Sequence, residues 1–125
     1  MKSILGTLAT ELNSIGVPYE YMRWTSVVEY PYWVGELTEV ATINEDGYKE
    51  YTAMVTGTTK GSWLELEETR AKIEDHFPSV YGFRTQMDEG TVVIFYENSF
   101  PVPTGEADLK RMQINLRIMQ WKGMK

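Results

Sequence analysis

The chain has 125 residues, no cysteine and a net charge of −6. This length suits one domain whose core needs no disulfide, so we predict a single α+β domain over residues 1–125. The composition excludes a thiolate nucleophile and a thiolate zinc site, the single His76 excludes a multi-histidine metal cage, and the acidity disfavours broad binding to phosphates.

The chain opens with a predicted helix over residues 3–15, which Ser3 is placed to cap. Gly16 and Pro18 follow it as termination signals. Its apolar residues recur at helical spacing, and they are Leu5, Leu8, Leu12 and Ile15. A short aromatic strand over residues 19–24 and a loop over 25–31 come next.

Residues 32–58 read as two β-rich runs around a turn that contains Asp46 and Gly47. Asp-Gly between alternating segments is a strong hairpin signal, so we predict a long central hairpin. Strands of about 11 residues reach roughly 37 Å, against a radius of gyration of about 14 Å, so the hairpin either spans the body or protrudes as an arm. Residues 57–61 are predicted to be a flexible connection.

A second helix is predicted from Ser62 to about His76. Ser62 and Glu65 have the spacing of a capping box, in which each side chain bonds the other's backbone N–H. Its buried stripe is expected to contain Trp63, Leu66, Ile73 and Phe77. Pro78 ends it.

The remainder of the chain is predicted to be mostly strand. Residues 81–87 and 91–96 form a second hairpin around Asp88-Glu89-Gly90, and Pro101 and Pro103 mark a loop. Residues 109–121 have apolar side chains that alternate as in a strand but also suit a helix; we favour the strand. The predicted fold is therefore α+β, in the order α-β-β-β-α-β-β-β, with two helices on one face of a mainly antiparallel sheet and the other face exposed.

The sequence contains no pattern that predicts catalysis, a cofactor or a metal. Residues 56–62 resemble a phosphate-binding loop only in composition, because the Gly-Lys-Ser/Thr order is absent. His76 lies at a helix end without an evident partner, and we expect it to have no catalytic role. Sixteen aromatic residues favour a core and an aromatic sheet face, while the acidic composition argues against sequence-specific nucleic-acid binding. No stretch approaches the ~20 apolar residues of a membrane span, so we predict a cytosol-like compartment.

Charge is distributed unevenly along the chain. Residues 109–125 carry +5 and no acid, which leaves −11 on the rest. A solvated basic end explains this, and so does an interface in which one subunit's basic segment meets its neighbour's acidic surfaces. The interface hypothesis assigns contacts to the hairpin tip and the last run, namely Asp46, Gly47, Tyr48, Arg111, Arg117, Met119 and Trp121.

The linear order of motifs resembles that of a known family. The motifs are Gly16-Val17-Pro18 after the first helix, Tyr30-Pro31-Tyr32-Trp33 at a strand start, and Glu89-Gly90-Thr91-Val92 in the second hairpin. Together with the helix through residues 66–74 and the final strand, they resemble the small tail-terminator and tail-completion (head-to-tail joining) proteins of long-tailed bacteriophages.

The resemblance implies a structural protein without enzymatic residues. It implies a ring, usually a hexamer, that contacts tail-tube or neck proteins in the virion after assembly in the host cytoplasm, with DNA passing through its lumen. Two other hypotheses remain open. One is a stand-alone bacterial binding module that holds a small ligand on an aromatic sheet face, and the other is a small enzyme built from dispersed carboxylates.

Overall fold

The computed structural model describes residues 2–22, 27–41, 47–87 and 90–121. It confirms the α+β class and the order α-β-β-β-α-β-β-β. The helices are α1 (Lys2–Ser14) and α2 (Trp63–His76), and the strands are β1 (Tyr19–Tyr21), β2 (Tyr32–Ala41), β3 (Tyr48–Thr59), β4 (Phe83–Met87), β5 (Gly90–Val102) and β6 (Lys110–Trp121). No helix among the described residues is long and apolar enough to cross a membrane.

The six strands form one sheet in the order β1-β2-β3-β6-β5-β4. Every neighbouring pair is antiparallel except β1 and β2, which are parallel. β3 pairs with β6 from Tyr48, opposite Trp121, to Thr59, opposite Lys110. The predicted long central hairpin is therefore confirmed, and its second strand spans the body rather than protruding as an arm. Asp46 and the rest of 42–46 lie outside the described residues.

Both helices cover the same face of the sheet. Ile4, Leu8 and Leu12 of α1 share one buried core with Leu66 and Ile73 of α2. Alternate residues of β3 and β6 complete this core: Tyr51, Ala53, Val55, Met112, Ile114, Leu116 and Ile118. The last run is therefore a strand, as favoured, because its alternating apolar side chains face the helices while its backbone pairs with strands on both sides.

Several local predictions were wrong for reasons of packing. Residues 57–59 belong to β3 instead of a flexible connection, because Gly57 lets the Trp33 ring lie against the strand. Trp63 is 43% exposed and lies outside the buried stripe. Pro101 lies inside β5, which extends to Val102. Val102 pairs with Arg111 of β6, so the pairing continues past the proline.

The predicted capping box is also absent. The Ser62 side chain makes no cap hydrogen bond. The Glu65 carboxylate instead accepts a bond from the Thr59 hydroxyl, whose Oγ1 lies 2.7 Å from Glu65 Oε1. The hydroxyl of Thr59, at the end of β3, thus binds the Glu65 carboxylate, which the sequence pattern had assigned to the backbone N–H of Ser62.

Candidate interaction surface on the helix-free sheet face

The sheet leaves one face without helices, because α1 and α2 both pack on the other. We call this surface the helix-free face. Strand alternation and register place on it Tyr32, Val34, Glu36 and Thr38 of β2; Tyr48, Glu50, Thr52, Met54, Thr56 and Thr58 of β3; Arg111, Gln113, Asn115, Arg117, Met119 and Trp121 of β6; and Thr91, Val93, Phe95, Asn98, Phe100 and Val102 of β5. All the predicted interface residues whose side chains are described lie on this face, namely Tyr48, Arg111, Arg117, Met119 and Trp121.

One end of the helix-free face is aromatic. Tyr48 and Trp121 lie directly opposite each other, with ring centroids 5.4 Å apart and planes inclined by 42°. Met119 lies two residues before Trp121 on the same face, opposite Glu50. Gly47 precedes this cluster with φ +79°, the left-handed conformation that a turn demands. The structure therefore joins three predicted interface residues into one half-buried patch.

The middle of the face carries a paired charge. Arg117 Nη2 lies 3.3 Å from Glu50 Oε1, and their side chains are 39% and 23% exposed. The hydrogen bond and charge of Glu50 raise the pKa of the Arg117 guanidinium above its ordinary value. Such a half-exposed pair contributes little to stability, about 0–1 kcal/mol. It does, however, neutralise one of the cations assigned to the interface.

Arg111 lies far from the aromatic end. Its Nε donates to Thr58 Oγ1 at 3.3 Å, and its guanidinium takes part in no ion pair found among the described residues. Trp121 lies ten positions farther along β6, which amounts to about 33 Å. The predicted residues thus share a face but occupy its two ends.

The basic C-terminal segment is not a separate charged tail over its described part. Residues 110–121 form a strand between β3 and β5, in which Arg111 and Arg117 alternate with buried apolar side chains. Lys122 and Lys125 lie outside the described residues. The +5 of this segment therefore does not form one continuous patch in the described structure.

A chain of hydrogen-bonded amide side chains lies towards the Arg111 end of the helix-free face, and the sequence analysis did not predict it. Gln113 Nε2 donates to Asn115 Oδ1 at 2.9 Å, and Asn115 Nδ2 donates to Asn98 Oδ1 at 2.8 Å. The alternation of Gln113 and Asn115 with buried residues predicted their face. Asn98 was not predictable as their partner, because its position follows a bulge in β5 between Tyr96 and Asn98.

The loop that resembles a phosphate-binding segment has a carboxylate of the chain itself, that of Glu65, beside it. Gly61 lies so close to Glu65 that a Cβ on Gly61 would come 2.0 Å from Glu65 Oε1. Thr59 Oγ1 donates to that carboxylate and accepts from Gly61 N–H at 3.0 Å. The chain's own carboxylate therefore lies beside the loop that would have to hold an anionic ligand.

His76 has a partner that the sequence did not reveal. Its Nε2 lies 2.8 Å from Glu11 Oε1 of α1, so the pair joins the two helices. Its ring stacks on Phe83 with centroids 4.9 Å apart. Among the described residues, no group of three or more His, Asp or Glu side chains is arranged to hold a metal ion.

Comparisons with known proteins establish the fold. No protein-family model matches the chain, and no curated protein matches it in sequence. Twelve chains of solved structures match it. One of them has a TM-score of 0.65 and 14% identity, over 94% of this chain and 90% of its own, and its name describes no activity. At this identity the likeness shows the fold alone.

Proposed function

We propose that this protein is a structural assembly subunit, namely a tail-terminator or tail-completion ring subunit of a long-tailed bacteriophage. The motif order described above supports the phage assignment. The proposed subunit would lie at the tail or neck of the virion, in contact with other copies of itself and with tail-tube or neck proteins. The subunit works by association, without cofactor or catalysis.

The observation that carries the assembly proposal is the composition of the helix-free face. Its aromatic end combines Tyr48, Met119 and Trp121, residue types that supply binding energy when a partner covers them. Its other end presents Arg111 with no acidic partner found among the described residues. An apolar anchor and a separate unpaired cation on one surface suit a protein partner that is held by the first and oriented by the second.

A stand-alone binding module is the second candidate, and the tilted pair of Tyr48 and Trp121 is the observation that favours it. Such a pair also stacks a planar small molecule. The two candidates differ in what covers the aromatic end, which is another protein chain for an assembly subunit and a small molecule for a ligand-binding module.

The test is sedimentation of the purified chain, alone and with phage tail tubes, followed by negative-stain images. Rings, or caps on tube ends, are the expected result. Trp63→Ala is the matched control for aromatic variants of the face, because Trp63 is exposed on α2 at 43%. A protein that stays monomeric and leaves tube ends uncapped would refute the proposal.

A further inference from the structure

The turn between α2 and β4 directs two apolar side chains into solvent. We call residues 78–82 the apolar turn. Val80 is 78% exposed and Tyr81 is 85% exposed. The backbone beneath them is held in place, because Gly82, at φ +72°, donates its N–H to Pro78 O at 2.8 Å. An exposed tyrosine on a fixed turn loses little freedom when a partner covers it, so the apolar turn is suited to binding another chain.

Acidic side chains flank the apolar turn in two grooves. One groove, of about 380 Å³, is lined by the turn together with Glu74 and Asp75 of α2. The other, of about 490 Å³, contains Glu97 of β5 and also Arg117, whose charge Glu50 neutralises. Asp75 and Glu97 are exposed and belong to no ion pair found among the described residues. The partner surface should therefore be both apolar and positively charged.

A surface of this kind lies at the Arg111 end of the helix-free face. Tyr32, Thr58 and Arg111 are direct partners across β2, β3 and β6, so they form one row. The Tyr30 and Tyr32 rings have centroids 5.7 Å apart. Lys60 Nζ lies 5.6 Å from the centre of the Tyr30 ring. We call these five residues the basic end.

The basic end is accessible and its cations are available. Tyr30 is 42% exposed, and Lys60 is exposed beside it. Neither Lys60 nor Arg111 belongs to an ion pair found among the described residues. An exposed ring between two such cations matches an exposed tyrosine between acids, because the rings can pack while the opposite charges face each other.

We propose that the apolar turn of one copy docks on the basic end of a second copy. Tyr81 covers the neighbour's Tyr30 ring, and the acids beside the turn face Lys60 and Arg111. This inference rests on the assembly function proposed above and names its subunit contact.

Charge makes this contact head-to-tail. Two apolar turns would bring acids together and two basic ends would bring cations together, so neither surface favours its own copy. The surfaces are also separate within one chain. Arg117 lies beside the turn and Arg111 lies at the basic end, six positions away on β6, which amounts to about 20 Å. One chain can therefore hold two neighbours, and such a contact repeats from copy to copy and closes into a ring.

Two charge variants test the contact from its two sides. Tyr81→Lys places a cation opposite the neighbour's basic end, and Lys60→Glu places an acid opposite the neighbour's turn. Each alone should raise the concentration for half-maximal assembly at least about tenfold, as the loss of a central anchor does. Val40→Lys is the control for the first, because Val40 is 54% exposed near the other end of β2. Lys49→Glu, at the opposite end of β3 from Lys60, is the control for the second.

A mixture of the two variants is the decisive measurement. Tyr81→Lys keeps an intact basic end and Lys60→Glu keeps an intact turn, so the mixture has one working contact and should stop at dimers in sedimentation. Those dimers would also show that both variants are folded. Wild type should continue past dimers. Val80→Lys, at the neighbouring exposed position, repeats the test should Tyr81→Lys fail to fold.

The outcomes separate this contact from the assembly function. Wild-type assembly that Tyr81→Lys and Lys60→Glu both match would overturn the contact and leave the assembly function standing. A mixture that stays monomeric where wild type assembles in solution would also overturn the contact. So would a wild type that stops at dimers, because a head-to-tail contact continues. A wild-type chain that forms no assembly, alone or on tail tubes, would overturn both.

Discussion

The ring of Trp33 lies against the backbone of Gly57, where a Cβ would come 2.6 Å from three ring atoms. The two residues are direct partners across β2 and β3, and Trp33 is fully buried. The hairpin therefore carries its largest core side chain over a glycine because no other residue leaves room. This contact makes the stability of the central hairpin sensitive to one methyl group.

Gly57→Ala should lower the free energy of unfolding by about 1–3 kcal/mol, the range for overpacking a filled core. Urea denaturation followed by circular dichroism measures it. Gly6→Ala is the control, because nothing lies within 4 Å of its Cβ position on α1. Alanine there should stabilise the protein by about 0.5–1 kcal/mol. An unchanged midpoint for Gly57→Ala would contradict the packing described.

The pair of His76 and Glu11 should contribute to stability and not to assembly. His76→Gln and Glu11→Gln, singly and together, form a double-mutant cycle whose coupling should be roughly 0.5–1 kcal/mol, because both side chains are about a quarter exposed. Assembly on tail tubes should be unchanged in all three variants. Asp75→Asn, at the exposed neighbouring position, should show no coupling with Glu11→Gln. Loss of a measured activity in folded His76→Gln would show a catalytic role.

Trp121→Ala should weaken the assembled state, because Trp121 is the largest side chain of the aromatic end and contacts the tilted Tyr48 ring. Truncation of such an anchor typically costs about 2 kcal/mol or more of binding free energy. Sedimentation at a series of concentrations measures the shift, and thermal unfolding of the monomer separates it from a folding defect. Trp63→Ala should leave the assembly constant unchanged. Normal capping of tubes by Trp121→Ala would exclude the aromatic end from the interface.

Arg111→Glu with Arg117→Glu should slow assembly and change its dependence on salt, because exposed charges steer association more than they hold it. The two single variants show how much of the change in assembly rate each arginine contributes. Arg111→Glu should account for most of it, since Glu50 already neutralises Arg117. Association rates from light scattering at low and moderate salt test this. Equal effects of the two single variants would contradict the assignment.

Tyr19 should make stability fall at high pH. Burial, with a smaller contribution from Tyr21, raises the pKa of the Tyr19 phenol to about 12 from 10.0. The unfolded chain therefore loses this proton first, so the stabilisation is complete below pH 10 and is lost as pH rises towards 12. Tyr19→Phe should show a shallower decline in unfolding free energy over that window. An identical decline would mean that other groups control it.

The order of elements, the two helices and most strand positions were predictable from the sequence. Local signals suffice there: Gly16 and Pro18 end α1, Gly47 marks the turn before β3, and Tyr51, Ala53 and Val55 alternate towards the core. The shared face of Arg111, Arg117, Met119 and Trp121 also follows from strand alternation once the last run is a strand. These properties depend on residues that are close together in the chain, so the periodicity of the sequence is enough to predict them.

Contacts between distant residues were decided only by the tertiary structure. The insertion of β6 between β3 and β5 set Tyr48 against Trp121 and Glu50 against Arg117, and nothing in either segment specifies the other. Glu65 bonded Thr59 in place of the helix N-terminus, and His76 found Glu11, because packing brought those groups within hydrogen-bond distance. Periodicity determines which way a side chain faces, whereas the residue it meets depends on the arrangement that buries the most apolar surface.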